Sequence, residues 1–219
     1  MPYSDFMPYT FPKIYPILDS AAIPQGGRSD FLYRLGSDLA EAGVIMLEYR
    51  NKTASDAELL ADAVVLRTAM PAGQVKLILD DRADLVAQIG FDGVHVDTGD
   101  ATPTEARRIV GPNRIVGTFA GSETLVPGIL DQPVDYLSIG PVFATTTKRT
   151  TKTPIGVEGV RKLREEAGLT AILVAVGGVT LETAPAILSA GASVIAVSAA
   201  IFRSPNPAKE FQRWTTALH

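Results

Sequence analysis

Glu48, Arg50 and Lys52 alternate at the end of an apolar run and so point to one side of an extended segment, which gives that side one acceptor and two cations. Such a trio suits an anion. The planar fork of Arg50 matches phosphate oxygens, and the mobile Lys52 ammonium adds a point charge. With Lys148, which closes the stretch Thr145-Thr146-Thr147-Lys148, they could hold a diphosphate. Asp80-Asp81-Arg82 and Asp97-Thr98-Gly99-Asp100 end two further apolar runs, so Asp81 and Asp100 could share one hard cation. Two carboxylates completed by phosphate oxygens and water are the usual setting for Mg²⁺. Helix capping is the competing reading, because a helix can begin near Arg82 and Thr102-Pro103 follows Asp100. A second phosphate cradle can be assembled from the threonine loop, the Gly177-Gly178 turn and Val197-Ser198. The glycine pair taken alone implies only a tight turn.

The composition removes several other chemistries. The 219 residues include no cysteine and only two histidines, His95 and His219, which excludes a disulfide framework, a thiolate metal site and a cysteine nucleophile. His95 lies within Val94–Val96 and reads as a core or lower-rim residue. His219 ends the sequence and reads as solvated. The formal net charge of −4 argues against a nucleic-acid or anionic-membrane partner, while a small anionic substrate needs only a local basic pocket. The first fifteen residues are broken by Pro2, Pro8 and Pro12 and do not read as a signal peptide, so the expected setting is the cytoplasm. No apolar stretch approaches the roughly 20 residues of a membrane span. The expected partners are small phosphorylated molecules, with no nucleic acid and no membrane. The sequence neither requires nor excludes a homo-oligomer.

These residues must be positioned by a strand-then-helix rhythm that repeats along the chain. The apolar runs Ile14–Leu18, Val44–Tyr49, Val75–Leu79, Gly93–Val96, Arg114–Phe119, Tyr136–Phe143, Ala171–Val176 and Val194–Ala200 read as strands. Each is followed by a helical segment: Ser29–Gly43, Ser55–Met70 with a Ser55/Glu58 capping box, Arg82–Gly90, Thr102–Gly111, Ser122–Asp131, Gly156–Gly168, Leu181–Gly191 and Asn206–Leu218. In the last of these, Phe211, Trp214 and Leu218 form a packing face. Strands that are apolar throughout must be buried on both faces, as parallel strands covered by helices are. The expected fold is therefore an α/β protein forming one (β/α)₈ TIM barrel over residues 1–219, with 1–12 as an irregular extension. An open doubly wound sheet is the alternative, but no G-x-G-x-x-G follows the first strand. In such barrels the chemistry sits at the C-terminal ends of the strands, where these charged residues cluster.

Taken in order, Tyr49-Arg50-Asn51-Lys52, Asp80-Asp81-Arg82-Ala83-Asp84-Leu85, Asp92-Gly93-Val94-His95, Gly140-Pro141-Val142-Phe143-Ala144-Thr145-Thr146-Thr147-Lys148, Gly177-Gly178-Val179 and Val197-Ser198-Ala199 resemble the thiamine phosphate synthase family. The resemblance runs from about Ile14 to Ile201. It implies a Mg²⁺-dependent enzyme that joins 4-amino-2-methyl-5-(diphosphooxymethyl)pyrimidine to a thiazole phosphate, giving thiamine phosphate and diphosphate. In that family the pyrimidine C–O bond breaks first and the thiazole nitrogen captures the cation. Carried over, Arg50, Lys52 and Lys148 would act on the departing diphosphate. Glu48, Tyr49, Asn51, Asp80 and Thr118 would complete the pyrimidine diphosphate site. Asp81 and Asp100 would bind Mg²⁺, and Thr145, Thr147, Gly178, Val197 and Ser198 would receive the thiazole phosphate.

This chain departs from the family pattern at several points. Glu48 and Asp80 stand where the family carries Gln and Asn, amides that address the pyrimidine; a carboxylate accepts hydrogen bonds but donates only when protonated. Thr98-Gly99 replaces a Gln-Glu pair, and Thr118 replaces Ser. A related reading is the thiazole tautomerase, which relies on a histidine shortly after the fifth strand, where this chain has Thr118-Phe119-Ala120-Gly121. A non-catalytic barrel that binds phosphorylated ligands is the third reading.

Overall fold

A computed structural model describes residues 9–145 and 151–218. Eight parallel strands close into a barrel in sequence order: β1 (Ile14–Asp19), β2 (Met46–Arg50), β3 (Lys76–Asp80), β4 (Gly93–Val96), β5 (Ile115–Gly121), β6 (Tyr136–Ile139), β7 (Leu173–Val176) and β8 (Val194–Val197). Closure is made by β1 pairing with β8, Ile14 opposite Ile195. The surrounding helices are α1 (Arg28–Glu41), α2 (Asp56–Ala69), α3 (Val86–Ile89), α4 (Pro103–Val110), α5 (Gly156–Ala167), α6 (Ala184–Ser189), a short α7 (Ala199–Phe202) and α8 (Pro207–Leu218). This is the expected (β/α)₈ barrel. Among the described residues, no helix is long and apolar enough to cross a membrane.

Alternation along the strands sorts the side chains into two cores. Tyr15, Met46, Ile78, Ile115, Tyr136, Val174, Val194 and Ala196 fill the barrel interior. The intervening positions, such as Leu47, Leu77, Val116 and Leu173, pack outward with helix residues including Leu32, Leu66, Leu163 and Trp214. Phe211, Trp214 and Leu218 are all buried, as their spacing predicts. Below the barrel, Phe11 lies edge-on to Tyr136, with ring centroids 5.7 Å apart, and Tyr9 lies edge-on to Phe11 at 5.1 Å. Residues 9–12 carry no helix or strand.

Local sequence accounts for where elements start and stop. The Ser55/Glu58 capping box opens α2, and Thr102 with Glu105 forms a second one at α4, with Pro103 at its first position. The expected helix Ser122–Asp131 does not form. Pro127 lacks the N–H a helix interior requires and Gly128 sits at φ 74°, so only a 3₁₀ turn, Ile129–Asp131, remains. The third helix shrinks from Arg82–Gly90 to Val86–Ile89, because Arg82–Leu85 are held in tight turns such as Arg82 N–H to Asp80 O. The sixth strand ends at Ile139 rather than Phe143: Gly140 still donates to Gly121 O but sits at φ 144°, and Pro141 has no N–H to give. The eighth ends at Val197, and Ser198 turns the chain into α7.

Candidate active site

The C-terminal ends of the strands surround a cavity of about 390 Å³. Inward parity decides which side chains reach it: Ile17 and Asp19 from β1, Glu48 and Arg50 from β2, Asp80 from β3, His95 from β4 with Asp97 just beyond its end, Phe119 from β5 and Ser138 from β6. The opposite wall is the backbone of Gly140, Pro141, Gly177 and Gly178 with Ser198 and Ala199.

The acidic and basic groups of the first wall are interlocked. Register sets Asp19 beside Arg50, and the two form an ion pair. Arg50 Nε and Lys52 Nζ each lie 3.2 Å from Asp80 Oδ2, and Lys52 also pairs with Asp81. Burial works against the Lys52 ammonium, but the Asp80 and Asp81 carboxylates outweigh it and hold its pKa above the ordinary value. Asp80 is displaced upward by burial first and then by Asp81, against the pull of Lys52 and Arg50. Glu48 is only 4% exposed and lies beneath them. Its carboxyl is raised by burial and by the Asp80 charge, and its hydrogen bond comes from Tyr15 OH at 2.9 Å.

Asp81 and Asp100 come together beside this wall. Asp81 adopts φ 69°, a left-handed conformation that costs a non-glycine residue energy and that Asp tolerates better than most. One of its oxygens, Oδ1, is buried with no hydrogen-bond partner. Asp100 accepts from Asp97 N–H at 2.8 Å. Burial raises its carboxyl, the Asp97 amide opposes this, and the Asp81 carboxyl within hydrogen-bond reach raises it further. An orphaned acceptor beside a second carboxyl fits a divalent cation. Among the described residues, no group of three or more His, Cys, Asp or Glu gathers around a common point, so the chain alone does not cage a metal. Two carboxylates leave positions for phosphate oxygens and water, which suits Mg²⁺.

Across the cavity, the loops after β6, β7 and β8 come into close contact. A Cβ on Gly178 would lie 2.4 Å from Ala144 O, and one on Gly177 would lie 2.7 Å from Pro141 Cβ, so both glycines are required for this approach as well as for their positive φ. The turn after β7 and a short helix after β8 are the elements from which barrels commonly build a phosphate site. Thr145, Gly178 and Ser198 border it. Val197 borders it too, while its side chain belongs to the outer core. Thr147 and Lys148 lie outside the described residues.

Three expected binding residues have their side chains elsewhere. Tyr49 has outward parity: its hydroxyl donates to Asp62 on α2 and accepts from Arg28 Nη2 at 3.0 Å. Thr118 also faces outward, and its hydroxyl donates to Val96 O at 3.0 Å. Neither side chain lines the cavity; on β5 that position is taken by Phe119. Asn51 turns back to Tyr49, with Nδ2 3.1 Å from the hydroxyl oxygen. Sequence reasoning missed Asp19, Asp97, Phe119 and Lys152, whose ammonium lies 3.3 Å from the Phe119 ring centroid. His95 lines the cavity floor.

The model of the family described as thiamine monophosphate synthase matches residues 14–201, which covers all eight strands. The chain belongs to that family. A thiamine-phosphate synthase of Koribacter versatilis (strain Ellin345) is 37% identical over 201 residues, spanning 91% of this chain and 94% of that protein. One from Agrobacterium fabrum (strain C58 / ATCC 33970) is 34% identical over 179 residues, covering 80% and 81% respectively. Among solved structures, a thiamine phosphate pyrophosphorylase from Pyrococcus furiosus superposes with TM-score 0.75 at 25% identity, covering 94% of this chain and 95% of that one. A 3-hexulose-6-phosphate synthase shares the fold alone, with TM-score 0.62 at 19% identity. The matched span includes the whole barrel. Its floor carries two carboxyls, Glu48 and Asp80.

Proposed function

We propose that this chain is a pyrimidinylmethyl transferase that makes thiamine phosphate from the pyrimidine diphosphate and a thiazole phosphate. Family membership across nearly the whole chain carries this reading. The cavity supports it independently, with cations on one wall and a glycine-lined phosphate cradle on the other, so two phosphorylated molecules can meet with their reactive ends inward. The C–O bond to the departing diphosphate breaks with its electron pair on oxygen, and the thiazole nitrogen lone pair forms the new C–N bond. Preorganised cations that meet charge as it develops can drive such a step without a protein nucleophile. Arg50 and Lys52 serve here, joined by Lys148. Before substrate arrives, Asp19, Asp80 and Asp81 hold Arg50 and Lys52 in place.

Mg²⁺ held by Asp81 and Asp100 would neutralise part of the diphosphate charge. Thr145, Thr147, Gly178, Val197 and Ser198 receive the thiazole phosphate. The deciding experiment supplies purified protein with both precursors and Mg²⁺ and measures diphosphate and thiamine phosphate. Stoichiometric appearance of both is expected. Binding of the thiazole phosphate without any product would refute the reading and leave a ligand-binding barrel.

A further inference from the structure

Under the cavity runs a chain of buried polar groups that the proposed reaction does not use. Ser138 Oγ lies 3.4 Å from His95 Nε2, His95 Nδ1 is 3.0 Å from Tyr136 OH, Tyr136 OH is 3.2 Å from Tyr15 OH, and Tyr15 OH is 2.9 Å from Glu48 Oε2. Each hydroxyl has one hydrogen to give, and a neutral imidazole has one donor and one acceptor nitrogen. Tyr15 gives its hydrogen to Glu48 and so accepts from Tyr136. Tyr136, its own hydrogen spent, accepts from His95 Nδ1–H, which leaves Nε2 to accept from Ser138. The donors therefore run in one direction and end on Glu48 Oε2.

The surroundings of Glu48 disfavour a carboxylate. Facing it are Tyr15 and Asp19 from β1, Asp80 from β3, His95 from β4 and Tyr136 from β6, with Arg50 and Lys52 from its own segment. The two cations make their ion pairs with Asp19, Asp80 and Asp81, and among the described residues none lies within ion-pair distance of Glu48. Oε1 has no hydrogen-bond partner among those residues either. A buried charge with one hydrogen bond and a carboxylate neighbour is expensive, whereas the neutral acid carries one donor and one acceptor, the same pair a carboxamide presents.

We propose that Glu48 works as a carboxylic acid: with Oε2 held by Tyr15, it presents its proton on Oε1 to an acceptor nitrogen of the heteroaromatic ring that enters the cavity, and Tyr15, Tyr136 and His95 are the positioning residues that fix it. The inference rests on the pyrimidine-binding reading of the site. Burial, followed by the Asp80 charge, pushes the Glu48 carboxyl up to about 8, against the opposing effects of Tyr15, Arg50 and Lys52.

The test is the pH dependence of KM for the pyrimidine diphosphate between pH 6 and 9.5, at saturating thiazole phosphate, in the parent and in Glu48→Gln. In the parent this KM should rise about tenfold per pH unit above the transition, while KM for the thiazole phosphate stays level. In Glu48→Gln, whose amide does not titrate, the rise should fall below about threefold over the whole range. A flat parent profile, or the same rise in Glu48→Gln, would overturn the proposal. Tyr15→Phe removes a hydrogen bond that favours the carboxylate, so it should move the transition to higher pH; a purely structural role would lower stability without moving it. Infrared difference spectra of parent minus Glu48→Gln at pH 6.5 provide a readout independent of turnover. A carboxylic-acid carbonyl band is expected, and a carboxylate band would refute the protonated form. If no product forms at any pH, the synthase reading fails, and this band still decides the state of Glu48.

Discussion

Gly117→Ala tests whether the floor of the cavity is as tightly packed as its geometry requires. Gly117 faces inward from β5, and a Cβ built there would lie 1.9 Å from Tyr136 Cζ and 2.3 Å from Cε1. An ordinary contact needs about 3.4 Å, so the ring must retreat by about 1.5 Å. It has little room to do so. Tyr136 is 1% exposed, stacked on His95 at 5.5 Å and bounded edge-on by Tyr15 at 5.9 Å and Phe11 at 5.7 Å. Overpacking of this kind costs about 1–3 kcal/mol. Displacing the hydroxyl from Tyr15 and His95 breaks two hydrogen bonds at about 1 kcal/mol each. The total is about 3–5 kcal/mol, and at roughly 2–4 °C per kcal/mol for a chain of this size the melting temperature should fall by about 6–20 °C. Gly26→Ala is the control, because nothing lies within 4 Å of the added carbon. Thermal and urea unfolding of both variants measure the effect. A fall below about 3 °C in Gly117→Ala would refute the reasoning, because Tyr136 would then be free to move and could not position anything.

Three further outcomes are expected. Arg28→Ala leaves the buried Asp62 carboxylate with only the Tyr49 hydroxyl; it should cost about 2–3 kcal/mol in urea unfolding, the low end for a paired charge because Arg28 is itself a quarter exposed, while KM for both substrates stays unchanged. Asp81→Asn and Asp100→Asn should each raise the Mg²⁺ concentration for half-maximal rate by about tenfold or more. Asn tolerates the left-handed backbone at position 81, so an unchanged metal titration in a folded variant would return these residues to capping. For Glu48, whose carboxyl is raised from 4.5 to about 8, the folded protein keeps a proton that the unfolded chain has lost between those values. Stability therefore falls as pH rises through that window and levels off above it. Melts from pH 5 to 9 should show the parent losing stability relative to Glu48→Gln, and parallel curves would refute the assignment.

Much of the fold was legible because a strand buried on both faces must be apolar throughout, as Leu173–Val176 and Val194–Val197 are. The strand-then-helix rhythm predicts a fifth helix over Ser122–Asp131, but Pro127 and Gly128 block it and leave only the Ile129–Asp131 turn. At the site, residues at strand ends were found by type, but the facing of each depends on parity relative to the barrel interior. That parity explains why Glu48 and Arg50 reach the cavity while Tyr49 does not, and why Phe119 lines it rather than Thr118. The same rule applied to the first and fourth strands would have found Asp19, the last residue of β1, and would have put His95 and Asp97 on the Glu48 side.

What a linear reading could not supply is the pairing between strands. The sequence presents Arg50 and Lys52 as cations available to an anion. The register that sets Asp19 beside Arg50, and the turn that brings Asp81 to Lys52, make them members of a charge lattice that already includes three carboxylates. An incoming diphosphate must therefore compete with Asp19, Asp80 and Asp81 for its cations. A divalent ion at Asp81 and Asp100 would ease that competition by taking up carboxylate charge. A proton on Glu48 keeps one more negative charge out of the lattice. The two floor carboxyls, Glu48 and Asp80, are thus tied to the same charge balance that determines how the diphosphate is held.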